Sequence, residues 1–538
     1  MHRKHYWFVV LVVLLAGLMV FSAACGEPEE VAEDPEEEVE YKDEFIAAIP
    51  GEIQGTDPQQ VTTIYGLVDG MLTTPPISLG LNNDQILPYG VEDVEISEDG
   101  LQIIFTFDEE RTFHNDVPLT PEAYKNSVER YREHSPYAFD FNPVEEMVVE
   151  DNTLTLKLSE PGPGMFVVLS SAYGAPVEAG AAEEMGAEEF NRRTIGDGPF
   201  TIEEWEDGSH VQLVRNDDYH DHLPFVDNNE AFHFEDMTVR FIPEGFTRVN
   251  ELRAGNVDMI TGVPSEYLDM LREDPDVNVH GYLNSNVRHL QFDHELSLFE
   301  DDETRLAVAL AIDRAELKTG VDEVIEPVYS IVGPAMLRHS EETEENLTQQ
   351  YSHDVQRAEN LLSDAGWEMG DDGILVRDGE EFEFELAING DNPIDTVAGP
   401  ILQDQLYELG IQANVREYAG GYLRDKVEDE DFDLILRNWS WLDPGGVWPA
   451  GLHSDGSLAP WSHPEIDEML DQVVVEPDDE RGAQIWGEIS EKVWEHNVII
   501  PMWSDRLFVA TRDSVTGLHL GVSGALYLHD LKISDDGE

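Results

Sequence analysis

Three short strand-like stretches, separated by helical ones, constrain the fold of this chain more than any other feature. Two of them, FEFELAI (382–388) and IQANVREY (411–418), alternate apolar and polar residues as half-buried strands do. The third, FDLILR (432–437), is a short apolar run typical of a buried strand. The intervening stretches have helical periodicity, and the first of them ends at Gly410. Strand–helix–strand units form parallel sheets with right-handed crossovers, so we predict an α/β protein.

The segment after the third strand has the composition expected of a binding site. Ligands of open parallel sheets bind beyond the carboxyl ends of the strands. Here that segment reads NWSWLDPGGVWPAGLHS (438–454) and combines aromatic rings with one carboxylate and several turn residues. Tryptophan rings stack on flat ligands and on cations, although packing in a core is the alternative for each of them. The segment supplies six predicted ligand-binding residues: Trp439, Ser440, Trp441, Asp443, Trp448 and His453.

The N-terminus reads as an export signal that ends at Cys25. A basic start is followed by an apolar run from Phe8 to Phe21, which is too short to span a bilayer comfortably. Small residues then precede Cys25, as in the lipobox of prokaryotic lipoproteins, although Ser22 stands where Leu is usual. Cys25 is the one cysteine of the chain, so it cannot form an internal disulfide. We predict a signal peptide over residues 1–25 and lipid attachment at Cys25; an ordinary secreted protein is the alternative.

Residues 26–43 are acidic, contain two prolines and have few apolar side chains. Such a segment cannot bury enough surface to offset its chain entropy. We therefore predict a disordered tether between the membrane and the folded part.

The charge of the chain is extreme, with 31 basic against 114 acidic residues and a formal net charge of -83. At ordinary ionic strength this self-repulsion strains a compact state, whereas at about 1 M salt the screening length falls to about 3 Å. We infer a protein that works in brine. Nucleic acid is excluded as a partner because no basic patch is present to meet phosphates.

The motif search does not favour an enzyme. The chain has no G-x-S-x-G, H-E-x-x-H or G-x-x-x-x-G-K-[ST] motif, and we predict no cofactor. The stretch DDYHDH (217–222) crowds possible metal ligands into one loop. Metal sites usually need ligands from separate elements, so we predict no metal site there. A secreted hydrolase remains a remote alternative.

Six blocks of the sequence resemble the extracytoplasmic solute-binding proteins of ABC transporters, in the family that includes oligopeptide, dipeptide and nickel binders. They follow the family's order, and the first and last of them lie far apart, so that the likeness extends over nearly the whole mature chain. Asp116 and Asp197 stand where the family usually has Gly and Thr. The blocks are VEDVEISEDGLQIIFTFDEERTFHNDVPLTPEAYKNSVERY (91–131), IGDGPFTIEEWEDGSHVQLVRNDDY (195–219), RVNELRAGNVDMITGVP (248–264), ETRLAVALAIDRAEL (303–317), AENLLSDAGW (358–367) and IIPMWSDRLFVA (499–510).

The resemblance implies a two-lobed periplasmic-binding-protein clamp of type II, with an extra domain inserted in lobe one. Lobe one would be residues 44–284 plus 505–538, with an insert at about 72–194, and lobe two would be 285–504. The ligand would be enclosed between the lobes by a hinge motion and delivered to membrane permease subunits. We expect a monomer without catalytic activity, lipid-anchored on the outer face of the cell membrane.

The resemblance also bears on the ligand. In the family's peptide binders, an Asp shortly after a Trp holds the peptide's amino terminus. Asp443 fits the closing Asp-Pro of that motif, but the earlier Asp has no counterpart here, so Asp443 binds an ammonium or only shapes the turn. His453 could serve a nickel chelate, and Trp503 follows a strand whose family equivalent lies near the cleft. An oligopeptide is the first ligand hypothesis, and a chelated metal or an oligosaccharide is the alternative.

Overall fold

The computed structural model describes residues 41–294, 296–429, 431–458 and 463–535. The predicted signal peptide, Cys25 and most of the tether lie outside these residues. Residues 41–43, which we assigned to the tether, belong to the folded part. Tyr41 forms a β-bridge with Ser534, and the Lys42 N–H donates to the Ile533 carbonyl at 2.8 Å. The predicted boundary of the tether is therefore wrong at its C-terminal end.

Strands are numbered here in chain order over the described residues. They are β1 (Glu44–Ile49), β2 (Ile77–Ser78), β3 (Leu87–Pro88), β4 (Asp93–Ile96), β5 (Gln102–Thr106), β6 (Val144–Glu150), β7 (Thr153–Leu158), β8 (Phe200–Glu206), β9 (His210–Arg215), β10 (Asp236–Phe241), β11 (Met259–Ile260), β12 (Val277–Leu283), β13 (Asn286–Phe292), β14 (Ile325–Pro327), β15 (Glu368–Met369), β16 (Leu375–Arg377), β17 (Glu380–Glu381), β18 (Glu383–Asn389), β19 (Gln412–Tyr418), β20 (Leu434–Ser440), β21 (Ile499–Arg512), β22 (Val515–Thr516), β23 (His519–Leu520), β24 (Leu526–Tyr527) and β25 (Lys532–Ile533).

The α-helices are numbered in the same way. They are α1 (Asp69–Leu72), α2 (Pro121–His134), α3 (Gly164–Leu169), α4 (Ala179–Met185), α5 (Ala187–Phe190), α6 (Gly245–Arg253), α7 (Leu268–Arg272), α8 (Asp302–Ala311), α9 (Arg314–Gly320), α10 (Glu341–Tyr351), α11 (Val355–Asp364), α12 (Pro393–Tyr407), α13 (Gly420–Glu428), α14 (Trp448–Leu452), α15 (Pro464–Val473) and α16 (Asp479–His496). Over the described residues, none of them is long and apolar enough to cross a bilayer.

Twelve of the described strands form one large mixed sheet. Its order is β19-β18-β20-β13-β21-β11-β1-β10-β9-β8, and β12 and β14 also pair with β21. Strand β18 lies parallel to both β19 and β20, with Leu386 opposite Val415 on one side and Leu434 on the other. The predicted strand–helix–strand–helix–strand unit and the α/β class are confirmed.

Strand β21 changes partners along its length. Its first half pairs with β13, where Arg288 lies opposite Trp503, and its second half pairs with β12, where Leu283 lies opposite Arg506. These changes fall at the lobe boundaries predicted from the sequence, while the lobe assignment itself stays a prediction. One apolar core continues on both sides of the change, since it contains Leu271 as well as Leu386.

A separate four-stranded sheet, in the order β4-β5-β7-β6, lies within the stretch predicted as an insert. It packs with α2 around its own apolar core, to which Phe105, Tyr124 and Leu156 contribute. Helix α2 begins with a common start signal, because the Thr120 side chain accepts from the Ala123 N–H and Pro121 occupies the first turn.

Helix α11 has two candidate N-caps close together in the sequence, Ser352 and Asp354. The Asp354 side chain is the cap, since it accepts from the Arg357 N–H at 2.9 Å. Ser352 instead ends the preceding helix, α10. Asp and Ser are equally good caps, so two candidates this close together cannot be ranked by residue type alone.

One buried carboxylate makes the stability of the fold depend on pH. Asp69 is fully buried, its Oδ2 accepts from the Tyr65 N–H at 2.7 Å, and its Oδ1 has no hydrogen-bond partner among the described residues. Burial raises the pKa of Asp69 from 3.8 to about 8.

The raised pKa of Asp69 means that its contribution to stability is fully present below about pH 4 and is lost as pH rises through 8. We expect Asp69→Asn to be more stable than wild type at pH 9, by on the order of 3 kcal/mol, and to lose most of that advantage at pH 4. Urea unfolding of both proteins across this pH range measures the difference. A difference that does not change with pH would contradict the raised pKa.

Candidate functional site

Strand β20 is longer than the sequence predicted and includes two of the predicted site residues. It runs through Trp439 and Ser440, which pair with Val287 and Asn286 of β13. The Trp439 ring is partly buried and lies 5.0 Å from the Trp448 ring, measured between centroids. These two positions therefore belong to the sheet itself and not to the loop beyond it.

Two predicted ligand-binding tryptophans lie in the protein core. Trp448 is 1% exposed, and its Nε1–H donates to the Ile331 carbonyl at 2.8 Å. Trp503 is 0% exposed, and its Nε1–H donates to Asp505 Oδ1 at 3.1 Å. Because each ring is enclosed and each N–H is satisfied, core packing accounts for both, and the prediction that they line the ligand cleft is not kept.

Asp443 shapes the turn after β20. It is buried, it caps the turn Pro444–Gly446, and its Oδ1 accepts from the Gly445 N–H at 3.0 Å. Burial raises the pKa of its carboxyl group. A Cβ added to Gly164 would lie 3.4 Å from Asp443 Oδ2, so the predicted insert approaches this carboxylate closely.

Asp443 also lines a cavity of about 300 Å³, here called the aromatic cavity. Two exposed rings border it: Trp441 is 43% exposed, and Phe139, from the predicted insert, is 61% exposed. Sequence reasoning identified Trp441 but missed Phe139, because nothing local to residue 139 indicates that the fold brings it to the segment after β20.

A larger groove of about 730 Å³ lies between the segments 79–86, 163–166, 334–341 and 479–483. The side-chain amide of Asn83 donates to the Ala335 carbonyl at 3.0 Å across it. The groove and the aromatic cavity together lie between the predicted insert and the predicted second lobe. The acidic residues that line them do not indicate a ligand, because acidic residues are abundant throughout this chain.

The predicted metal-binding alternatives are not supported by the geometry. His453 Nδ1 accepts from the Asp455 N–H at 3.0 Å, its Nε2 lies 3.5 Å from Asp471, and it lines neither the groove nor the aromatic cavity. His220 and His222 lie 3.0 and 3.5 Å from the same Asp108 oxygen. In the described ranges, no group of three or more His, Cys, Asp or Glu side chains has the arrangement of a metal site.

Arg437 lies in a third cavity of about 290 Å³, here called the arginine cavity. Its lining includes the C-terminal end of β18, the middle of β20 and helix α13: Arg288, Asn389, Asp395, Gly420, Leu423, Arg424, Val427, Ile435, Leu436, Arg437 and Asn438. The Arg437 guanidinium donates to Gln291 Oε1 at 2.5 Å and lies 4.9 Å from the centroid of the Trp439 ring. Burial lowers its pKa from 12.5 to about 10.

Arg437 has no carboxylate partner among the described residues, although acidic residues outnumber basic ones by more than three to one. A buried cation without a counter-ion costs free energy unless a ligand supplies one. Sequence reasoning missed Arg437. The available signal was a rare basic residue inside an apolar strand, directly before the aromatic segment.

The same cavity reaches a buried ion cluster, here called the Arg288 triad. Arg288 Nη1 donates to Asp395 Oδ1 at 2.6 Å, and its Nε donates to Asp505 Oδ1 at 2.9 Å. The three side chains come from α12, β13 and β21, so the cluster joins the wall of the cavity to the strand that changes partners.

Comparison with known proteins agrees with this architecture. Residues 85–457 match the family model described as bacterial extracellular solute-binding proteins, family 5. The chain is 27% identical over 257 residues to the oligopeptide-binding protein AppA of Bacillus subtilis, covering 47% of this chain and 45% of AppA. It is 22% identical to the probable D,D-dipeptide-binding periplasmic protein DdpA of Escherichia coli, covering 78% of this chain and 80% of DdpA.

A solved structure shows the same fold. NikZ from Campylobacter jejuni, in complex with Ni(L-His), has a TM-score of 0.69 and 18% identity, covering 91% of this chain and 99% of NikZ. With the family model matching well over half of the residues, the chain belongs to family 5 of the bacterial extracellular solute-binding proteins.

Proposed function

We propose that this protein is the solute-binding subunit of an ABC importer and that it captures short peptides outside the cytoplasm. The observation that carries the peptide assignment is Arg437, a partly buried cation without a counter-ion among the described residues, in a cavity lined by β20 and the C-terminal end of β18. A peptide's terminal carboxylate would supply that counter-ion through charge-assisted hydrogen bonds. Relatives named for oligopeptide and dipeptide binding support the same ligand class.

A peptide explains the site better than the two alternatives. A nickel chelate would need imidazole or similar ligands, and His453 is already engaged by Asp455 and Asp471. A neutral sugar would leave the charge of Arg437 unpaired in the bound state. The aromatic cavity, bordered by Trp441 and Phe139, offers surface for an apolar side chain of the peptide.

The working cycle follows from the proposed lobes, 44–284 plus 505–538 and 285–504. The ligand would lie in the groove and cavities, and the lobes would close over it by bending near the strands where β21 changes partners. We further propose that a lipid on Cys25 holds the protein beside its permease, that residues 26–40 act as the tether, and that the monomer binds without chemical change to the ligand.

The assignment is tested with one peptide in two forms, a free C-terminal carboxylate and a C-terminal amide. Wild type in molar KCl is expected to bind the free acid about 10 to 100 times more tightly, since a hydrogen bond to a charged group contributes about 1.5–3 kcal/mol. Arg437→Gln should remove most of that preference. Arg416→Gln, an exposed arginine on β19, is the matched control and should keep it.

Thermal unfolding with a ligand panel completes the test. A ligand at about 100 times its Kd stabilises the folded protein by about 2.7 kcal/mol, which shifts the Tm measurably. The panel holds di- to pentapeptides, nickel with and without histidine, and short sugars. A shift with nickel–histidine or sugars but not with peptides would refute the peptide assignment and keep the importer role.

A further inference from the structure

The Arg288 triad carries an unbalanced charge. One guanidinium is shared by two carboxylates, and the three residues are each at most 6% exposed. With both carboxylates ionised, the cluster has a net charge of -1 in a buried position. Such a charge is costly unless a further cation or a proton compensates it.

The two carboxylates of the triad differ in how well they are satisfied. Asp505 accepts from Arg288, from the Asn286 side chain at 2.9 Å and from the Trp503 Nε1–H at 3.1 Å. Asp395 accepts from Arg288 through Oδ1 only, and its Oδ2 has no hydrogen-bond partner among the described residues. The unbalanced charge of the triad is therefore concentrated on Asp395.

Asp395 is also the triad carboxylate that lines the arginine cavity. Its side chain is 1% exposed, and burial raises its pKa from 3.8 to about 6. The backbone N–H of Asn389 lowers this pKa but does not make a hydrogen bond of ordinary geometry with Oδ2. A buried, unpaired acceptor in the wall of a cavity indicates a site for a donor that the protein does not supply.

We propose that Asp395 Oδ2 binds a cationic nitrogen of the ligand, an ammonium or a guanidinium group, within the arginine cavity. This group supplies the positive charge that the triad lacks. Arg437 lines the same cavity, so the cavity offers both a carboxylate and a guanidinium to a ligand. This inference rests on the proposed function for the identity of the ligand as a peptide, but not for the presence of the cation site.

The contact also reaches the strand that changes partners. Arg288 bonds Asp395 on one side and Asp505 of β21 on the other. A ligand cation that draws the Asp395 carboxylate toward the cavity would change the hydrogen bond between Asp395 and Arg288. Through Arg288 and Asp505 this change would reach β21, near which we propose that the lobes bend. Asp395 is then both a ligand contact and a positioning residue for the crossing strands.

The test uses L-argininamide, which carries cationic nitrogens and no carboxylate. Its Kd is measured by calorimetry in molar KCl for wild type, Asp395→Asn and the matched control Asp404→Asn. Asp404 lies on the same helix and is exposed. We expect wild type and Asp404→Asn to bind the probe alike and Asp395→Asn to bind it at least about tenfold more weakly. The Asn side chain keeps an acceptor for Arg288, so this variant preserves the fold.

Asp505→Asn distinguishes a direct contact with Asp395 from a general electrostatic effect of the triad. It removes one negative charge from the triad, as Asp395→Asn does, but at a residue that does not line the cavity. Probe binding that survives in Asp505→Asn and fails in Asp395→Asn supports the contact. No probe binding to wild type, or equal binding to wild type and Asp395→Asn, overturns it. If peptides bind wild type and Asp395→Asn equally, the inference about Asp395 is refuted and the peptide assignment stands. If L-argininamide binding requires Asp395 but no peptide binds, the peptide assignment is refuted and the inference stands.

Discussion

Transfer from molar KCl to about 0.1 M KCl is expected to remove much of the protein's stability. The screening length grows from about 3 Å to about 10 Å over this range, so repulsion among the 114 acidic residues acts over longer distances. The expected loss is on the order of 5 kcal/mol, which is comparable with the whole stability of many proteins. Urea unfolding at a series of KCl concentrations measures it, because urea carries no charge.

Sucrose at low salt is the control for the salt experiment, since it favours compact states without screening charge. We expect sucrose to restore only part of the lost stability. Equal urea midpoints at 0.1 M and molar KCl, within error, would refute the inference that this protein needs brine.

Replacement of Arg288 by Met is expected to destabilise the protein by about 3–5 kcal/mol, because it leaves two buried carboxylates without their cation. The loss should be larger at pH 8 than at pH 5. Burial already raises the pKa of Asp395, and loss of Arg288 raises it further, so this carboxyl group binds a proton in the folded state and becomes less costly as pH falls. Urea unfolding at both pH values measures the effect.

Arg416→Met is the matched control for Arg288→Met, since Arg416 is exposed on β19 and should change stability by less than about 0.5 kcal/mol. Adding Asp395→Asn and Asp505→Asn to Arg288→Met should recover part of the loss, because both uncompensated charges are then removed. A triple variant no more stable than Arg288→Met would contradict the electrostatic explanation.

The parallel unit β18–β19–β20 could be predicted from the sequence because each strand has a period or composition that a helix does not share. The start of α2 is an equally local signal, since Thr120 directly precedes the helix and Pro121 is its first residue. The extension of β20 through Ser440 could not be predicted, because it depends on pairing with β13, which lies far away in the chain.

The candidate site was predicted less well than the fold. A tryptophan suits a core as well as a cleft, and only the packing around Trp448 and Trp503 distinguishes the two. The binding roles proposed for Arg437 and Asp395 depend on the residues that surround each of them in the folded protein. An arginine without a counter-ion and a carboxylate oxygen without a donor are properties of three-dimensional neighbourhoods, which no local pattern encodes.

Strand β21 connects the two parts of the large sheet mechanically. Its 14 residues run unbroken from the ladder with β13 to the ladder with β12, so the two halves of the sheet share one backbone. If the proposed lobes open and close, that movement would bend and twist one continuous strand. Stiffness along this one strand, tuned by residues that never touch the cargo, would set how often an empty protein opens to take up the next molecule.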